Sequence, residues 1–269
     1  LDGFLAGPTL QKVLQAPTQY QDQYFVLTGQ KNSALTDDEI LDVTNNDRAY
    51  ESSGIQWSIS DQRTLGSITL SSRGGIRLHQ DQVERNHQPA TYLMTNFQMI
   101  PDAVPREPKV VNKAESEALA VYGITRISLG GFSIDLGVRH EDIDGEVFNQ
   151  LTGERSKRSQ ALTSPSISGI WEVSDNMSFF GGIYEGFSPA GPGSDASHED
   201  STNYEIGGRF NNGGSELSLV GFYSDYGNLI GRCRVSDTSC EPGSEFNGGE
   251  VEIFGAELSA LHTLVISES

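Results

Sequence analysis

The sequence predicts an all-β fold of antiparallel strands, part of a transmembrane β-barrel, from about residue 48 onward. Three observations lead there. Short segments alternate between apolar and polar residues, and their connections alternate between tight turns and long polar loops. The composition, with 30 Gly, 9 Tyr, 12 Phe and only 3 Met in 269 residues, favours strands and turns over helices.

A chain of this length also accommodates a soluble all-β domain, so pattern and not size has to decide. No run approaches the roughly 18 consecutive apolar residues of a membrane-spanning helix. Leu1-Asp2-Gly3-Phe4 is not a basic region leading into an apolar core, so neither a helical membrane protein nor an intact secretory precursor is expected. Strands that alternate faces pass this test, because their hydropathy averages out. A net charge of -19 argues against nucleic acid, whose phosphates need a basic stripe. Most of the excess acid lies in predicted loops, as solvated surface or as a means of ion capture.

In chain order, residues 1–47 come first. Leu10, Val13 and Leu14, then Tyr20, Tyr24 and Leu27, recur at helical spacing among polar residues, predicting one or two short helices in an external loop. Residues 48–269 are predicted to form an incomplete barrel of about nine strands, at 48–60, 64–79, 115–128, 131–143, 161–173, 176–188, 201–210, 215–227 and 247–260. Phe132, Ile134, Leu136 and Val138 lie on one face, with Ser133, Asp135, Gly137 and Arg139 on the other. The same period recurs in Ile68, Leu70, Ile76 and Leu78 against Ser67, Thr69, Ser71, Arg73 and Arg77. It recurs again in Ile167 and Trp171 against Ser164, Ser166 and Ser168.

Tight turns are predicted at Ser60–Arg63, Ser128–Gly131, Ser174–Asn176 and Asn211–Gly214, where Asp, Asn and Gly supply hairpin angles. Long connections fall at about 80–114, 144–160, 189–200 and 228–246. Outer-membrane barrels have short periplasmic turns and long external loops, whereas a soluble sandwich has no reason to keep its long loops at one end. Nine strands leave the sheet unclosed, since bacterial barrels have even counts. In the last strand the apolar phase slips near Gly255, which predicts a bulge.

Cys233 and Cys240 lie in a polar, turn-rich stretch that suits a loop disulfide and an oxidising compartment. No His lies near them, so zinc is not expected. The sequence has no G-x-S-x-G, H-E-x-x-H, Walker loop or G-x-G-x-x-G, and an enzyme is not expected. Asp142-Ile143-Asp144-Gly145-Glu146 has part of a calcium-loop pattern but lacks the third liganding position and the distal Glu. His79 and His87 flank Asp81, Glu84 and Arg85, as a metal site or as ordinary surface residues.

Several stretches in order resemble one family. They are Tyr184-Glu185-Gly186-Phe187-Ser188-Pro189-Ala190-Gly191-Pro192-Gly193; Glu199 to Arg209; Gly221 to Cys233; Asn247-Gly248-Gly249-Glu250-Val251; and Gly255 to Ala260. Weaker matches lie upstream at Asn45 to Tyr50, His79 to His87 and Ala118 to Tyr122, so the likeness covers nearly the whole chain. Together they resemble the TonB-dependent outer-membrane receptors, in the branch that takes ferric dicitrate and ferric siderophores.

That resemblance implies capture and gated import of a ferric chelate across the bacterial outer membrane, with TonB acting through a plug domain and barrel lipid as a further partner. It implies no resident cofactor, iron entering only as the chelate. Such chelates are commonly anionic, so the external mouth should present Arg, Gln, Asn and Tyr donors. Arg48, Arg77, Arg85 and Arg139 are the candidates at external strand ends, each alternatively held in a salt bridge to Asp or Glu. No plug pattern, TonB box or terminal aromatic strand is found, both ends read as cut, and this stretch by itself is expected to transport nothing. The competing readings are a passive porin-like or adhesin-like barrel, and a soluble β-sandwich.

Overall fold

A computed structural model describes residues 2–233 and 245–263. Strand β1 is Gly3–Phe4; helices α1 and α2 are Leu10–Gln15 and Gln21–Leu27; β2 is Leu41–Leu65, β3 Ile68–Thr95 and β4 Gln98–Pro101. Then follow β5 Val110–Leu129, β6 Phe132–Asn149, β7 Arg155–Ser174, β8 Met177–Ser188 and β9 Glu199–Asn211. The last are β10 Ser215–Gly227, β11 Ile230–Arg232, β12 Glu245–Asn247 and β13 Val251–His262. One sheet runs β1-β2-β3-β5-β6-β7-β8-β9-β10-β13, with β4 on β3 and a separate β11–β12 pair. Among the described residues its two end strands do not pair with each other, so the antiparallel barrel sheet is unclosed.

All nine predicted strands are present. Most are longer than predicted at the end away from the tight turns, and four short strands were not foreseen. The expected loop at 80–114 is largely strand, since β3 continues to Thr95 and folds back as β4 with Thr95 opposite Gln98. The 144–160 loop shrinks to residues 150–154 in the same way. Backbone pairing does not require an apolar face, so strands continue into water where the apolar signal stops. The turn expected at Ser60–Arg63 lies inside β2, where Arg63 Nε donates to Asp61 at 2.7 Å. The chain turns instead at Gly66, whose φ of +64° is costly for residues with a Cβ.

The bulge expected at Gly255 is absent. Register between β10 and β13 is unbroken from Ser215↔His262 to Tyr226↔Val251. Gly255 faces Phe222, whose ring would lie 2.8 Å from an added Cβ, so the missing side chain makes room for an aromatic ring on the polar face.

The chain divides into two compact units. One comprises Leu1–Glu51, Gln82–Ala114 and Val147–Arg155. Its core is Phe4, Val13, Val26, Leu41 and Met94, with Tyr20, Tyr24, Leu27 and Tyr92 packed around it. Helix α1 starts where Thr9 accepts a hydrogen bond from the Lys12 amide at 3.3 Å. Both predicted helices form, with Val13 and Val26 facing inward. Ion pairs brace the loops, Lys31 to Glu39 at 2.6 Å and Arg106 to Asp102 at 2.9 Å, and one ties a loop to strand β2, Lys109 to Asp42.

The other unit comprises Ser52–Asp81, Glu115–Glu146 and Ser156–Ser269. Its sheet has one apolar and one polar face. Cross-strand partners run Ile167–Ile183–Tyr204–Tyr223–Phe254 on the first and Ser166–Tyr184–Asn203–Ser224–Ile253 on the second. Trp57 is 61% exposed, Trp171 54% and Leu219 54%, a surface that water does not tolerate and lipid does. On the polar face Ser224 Oγ donates to Asn203 Oδ1 at 2.7 Å, and Asn203 Nδ2 donates to the Tyr184 carbonyl oxygen.

Candidate ligand-binding arginines

Alternation along β6 puts Arg139 on the polar face, opposite in phase to Leu136 and Val138. Its guanidinium lies 5.9 Å from the Tyr122 ring centroid and its Nε donates to Glu141. The Tyr122 hydroxyl in turn accepts from Gln56 Nε2 at 3.0 Å. Arg139 is therefore oriented by two neighbours, with donors left over. Arg77, half-buried on β3, has no ion pair or side-chain hydrogen bond among the described residues. Arg73, two residues earlier on the same strand, donates to Ser58 Oγ at 3.4 Å.

Arg48 and Arg85 belong to the other unit. Arg48 is exposed, donating from Nε to Asn46 Oδ1 at 2.7 Å and from Nη1 to the Tyr50 hydroxyl at 3.4 Å. Arg85 donates to Asn112 Oδ1 at 3.2 Å. Both act electrostatically on His87. Burial pushes the pKa of that imidazole below its ordinary 6.5, the positive fields of Arg48 and Arg85 push the same way, and Asp47 opposes them weakly. Its Nε2 is buried without a hydrogen-bond partner. The ring is thus neutral at neutral pH, beside two fixed cations. The four predicted arginines accordingly fall two and two between the units.

The strongest arginine contact was not anticipated. Arg126 makes two parallel bonds to Asp135, each 2.7 Å. The signal was present: the two residues stand equally far from the Gly130–Gly131 turn, which makes them cross-strand partners on one face. Arg209, with its guanidinium carbon 4.4 Å from the Phe180 centroid, was also missed.

His79 is occupied by Asp81 at 3.3 Å and Ser52 at 3.1 Å. Asp142 lies 3.6 Å from His140, and Asp144 accepts from Ser159. Among the described residues no three His, Cys, Asp or Glu side chains are grouped to hold a metal ion. Cys233 is buried, and its expected partner Cys240 lies outside the described residues. What the polar face offers is guanidinium, amide and hydroxyl donors held by neighbours, a surface suited to oxyanions.

A family model described as "TonB dependent receptor-like, beta-barrel" matches residues 7–265. No curated protein sequence matches the chain. Among solved structures, the ferric citrate transporter FecA in its unliganded form has a TM-score of 0.67 at 18% identity, covering 81% of this chain and 33% of that one. The ferric-catecholate import receptor Fiu from K12 E. coli, in its closed form, has a TM-score of 0.63 at 13% identity, covering 82% and 36%. The ferric yersiniabactin uptake receptor FyuA from Yersinia pestis has a TM-score of 0.59 at 17% identity, covering 81% and 33%. At these identities the likeness is one of fold, and the chain spans about a third of the length of each. The family is one of receptors and transporters of the bacterial outer membrane and not one of enzymes. With its two-faced antiparallel sheet and a family match over nearly its whole length, the chain belongs to the TonB-dependent receptors and supplies part of their β-barrel.

Proposed function

We propose that this chain is part of a receptor that captures an anionic ferric chelate, ferric citrate or a ferric siderophore, and passes it inward when TonB acts on a plug domain. The observation that carries the reading is the set of oriented arginines on polar strand positions, Arg139 over Tyr122 in one unit and Arg48 with Arg85 beside His87 in the other. Guanidinium groups match carboxylate and other oxyanion geometry, and their neighbours hold them ready. Arg77 adds a further donor. Iron enters only as the metal of the chelate, with no resident cofactor and no covalent step: the work is binding and gated passage. Barrel lipid is the surrounding partner, and a Cys233–Cys240 disulfide would staple the external loop between β10 and β13.

The test uses the whole receptor, titrated calorimetrically with ferric citrate and with representative ferric siderophores. Arg48→Ala and Arg85→Ala are each expected to weaken binding of the cognate chelate about tenfold, the loss of one charge-assisted hydrogen-bonding group. Failure of every ferric chelate to bind would overturn the function, and unchanged affinity in both variants would overturn these residues.

A further inference from the structure

The connection between β8 and β9, residues 189–198, lies at the end of the sheet away from the tight turns, which in an outer-membrane barrel is the external side. It contains no helix or strand, yet Ala190 and Ala196 within it are buried and its backbone is paired with side chains on two flanks. One flank is the barrel wall. Gln160 of β7 donates from Nε2 to the Ala190 carbonyl oxygen at 3.1 Å and accepts from the Ala190 amide at 3.3 Å. Arg158 donates to the Ser194 carbonyl oxygen, and Pro192 lies over Gly145 of β6, where an added Cβ would come within 3.0 Å of its ring. Gln160 is in phase with Ser164 and Ser166, and Gly145 with Arg139, so the connection folds inward over the polar face.

The other flank is the β11–β12 hairpin. The β10–β13 ladder ends at Tyr226↔Val251. Beyond it Asn228 and Gly249, with φ of +51° and +109°, turn both chains out of the sheet before Ile230 pairs with Asn247. The hairpin then leans on the β8–β9 connection. Asn247 accepts from the Ser197 amide at 2.8 Å and donates to the Ser197 carbonyl oxygen at 3.2 Å. Glu245 accepts from the Gly191 amide at 3.3 Å and from Arg232 at 2.9 Å, and Glu199 accepts from the Ile230 amide at 2.6 Å.

Gln160 and Asn247 therefore act alike from opposite flanks: each side-chain amide meets the N–H and C=O of one residue together, as a neighbouring strand would. Asn247 also donates to the Asn228 carbonyl oxygen at 2.9 Å, so one side chain holds both the bend of the hairpin and its contact with the connection. Separating the two elements breaks all of these cross-bonds together and leaves the Glu245 carboxylate, whose side chain is 17% exposed, without the Gly191 amide.

We propose that Asn247 and Glu245 latch the β11–β12 hairpin to the β8–β9 connection, making the two external elements one cooperative body anchored on β7 through Gln160. A ligand that displaces either one displaces both. The role at the mouth rests on the receptor function proposed above, whereas the coupling itself needs no chelate.

The whole receptor in lipid nanodiscs, without chelate, is followed by hydrogen exchange resolved to single amides. Asn247→Ala is expected to speed exchange about tenfold at Ala190, which Asn247 does not touch, and Gln160→Ala to do the same at Ser197 and Ile230, which Gln160 does not touch. Asn247→Leu and Gln160→Met, which keep the volume and lose the hydrogen bonds, should repeat the pattern while the β9–β10 ladder stays protected. Acceleration confined to the amides that each side chain bonds, or seen in only one of the two positions, would overturn the latch. Loss of ladder protection in the volume-keeping variants would overturn it as well, by tying these side chains to the barrel sheet itself. A receptor that shows the pattern but binds no ferric chelate keeps the latch and loses the proposed function.

Discussion

Replacing Lys109 by Met should loosen the unit built on Leu1–Glu51, Gln82–Ala114 and Val147–Arg155 without disturbing its apolar core. Lys109 Nζ donates to Asp42 and, at 2.6 Å, to Thr44 Oγ1, and lies 3.5 Å from Asp2. Asp42 is the critical partner, because its side chain is only 7% exposed and its Oδ1 already lacks a hydrogen bond. Breaking a fully buried pair costs about 3–5 kcal/mol, chiefly by stranding the remaining charge. Lys109 is 35% exposed, so water screens part of that, and about 2–3 kcal/mol is expected. That is a roughly 30- to 150-fold larger population of the locally open state. Hydrogen exchange on the membrane-reconstituted receptor reads it at the amides of Asp2 and Leu5, which bond the carbonyls of Asp42 and Ile40. Lys109→Met/Asp42→Asn, which removes both charges, should recover most of the protection. Unchanged exchange in the single variant, or no recovery in the double, would refute the account of Asp42 as a buried charge that depends on Lys109.

Acid should loosen the same unit in two stages. The Asp102 carboxyl is held below its ordinary 3.8 chiefly by Arg106, and that of Asp2 by Thr44 and Lys109 against the opposing effect of burial. Depressed carboxylates contribute stability above 3.8 that is lost as pH falls through their folded values. His87, also depressed, loses its contribution as pH falls from 6.5, whereas Lys31, raised by Glu39 and Asp22, holds its own until pH climbs past 10.5. Exchange rates corrected for intrinsic pH dependence should therefore be flat from about pH 7.5 to 10, rise modestly below 6.5 and steeply below 3.8; a rise beginning near pH 8 would contradict this. On the apolar face, Leu219→Arg should cost about 2–4 kcal/mol in urea unfolding from lipid vesicles, while Ser259→Arg on the polar face changes stability little. Equal costs at the two positions would mean that the lipid face has been misassigned.

Much of this was legible in the chain because a strand in a barrel is ordered by two local rules, alternation of faces and turn chemistry. Phe132 to Arg139 shows its two faces without any knowledge of its neighbours, and Gly130–Gly131 and Asn211–Gly214 mark their turns by residue type alone. The misses have physical causes. Polar stretches such as His79 to Thr95 pair as strands through backbone groups, which leave no mark on hydropathy. The phase slip at Gly255 resembled a bulge because both faces of β13 carry apolar residues, whereas the structure uses the glycine to admit Phe222. Of the candidate arginines, residue type and strand phase could name Arg48, Arg77, Arg85 and Arg139, but the neighbours that orient them come from other strands. Arg139 over Tyr122 and Arg85 on Asn112 are separated by 17 and 27 positions in the chain.

By itself, the sequence determined the fold class, the nine main strands, the apolar face and the family, because each is written in local periodicity and in ordered motifs. Only the tertiary structure decided which charges are paired, that His87 is a neutral ring beside two cations, and that Gly169, Gly181 and Gly221, on three strands, fall in one cross-strand row. Those depend on cross-strand register, and register is set by the turns and pairings of the whole sheet, so no single segment encodes it.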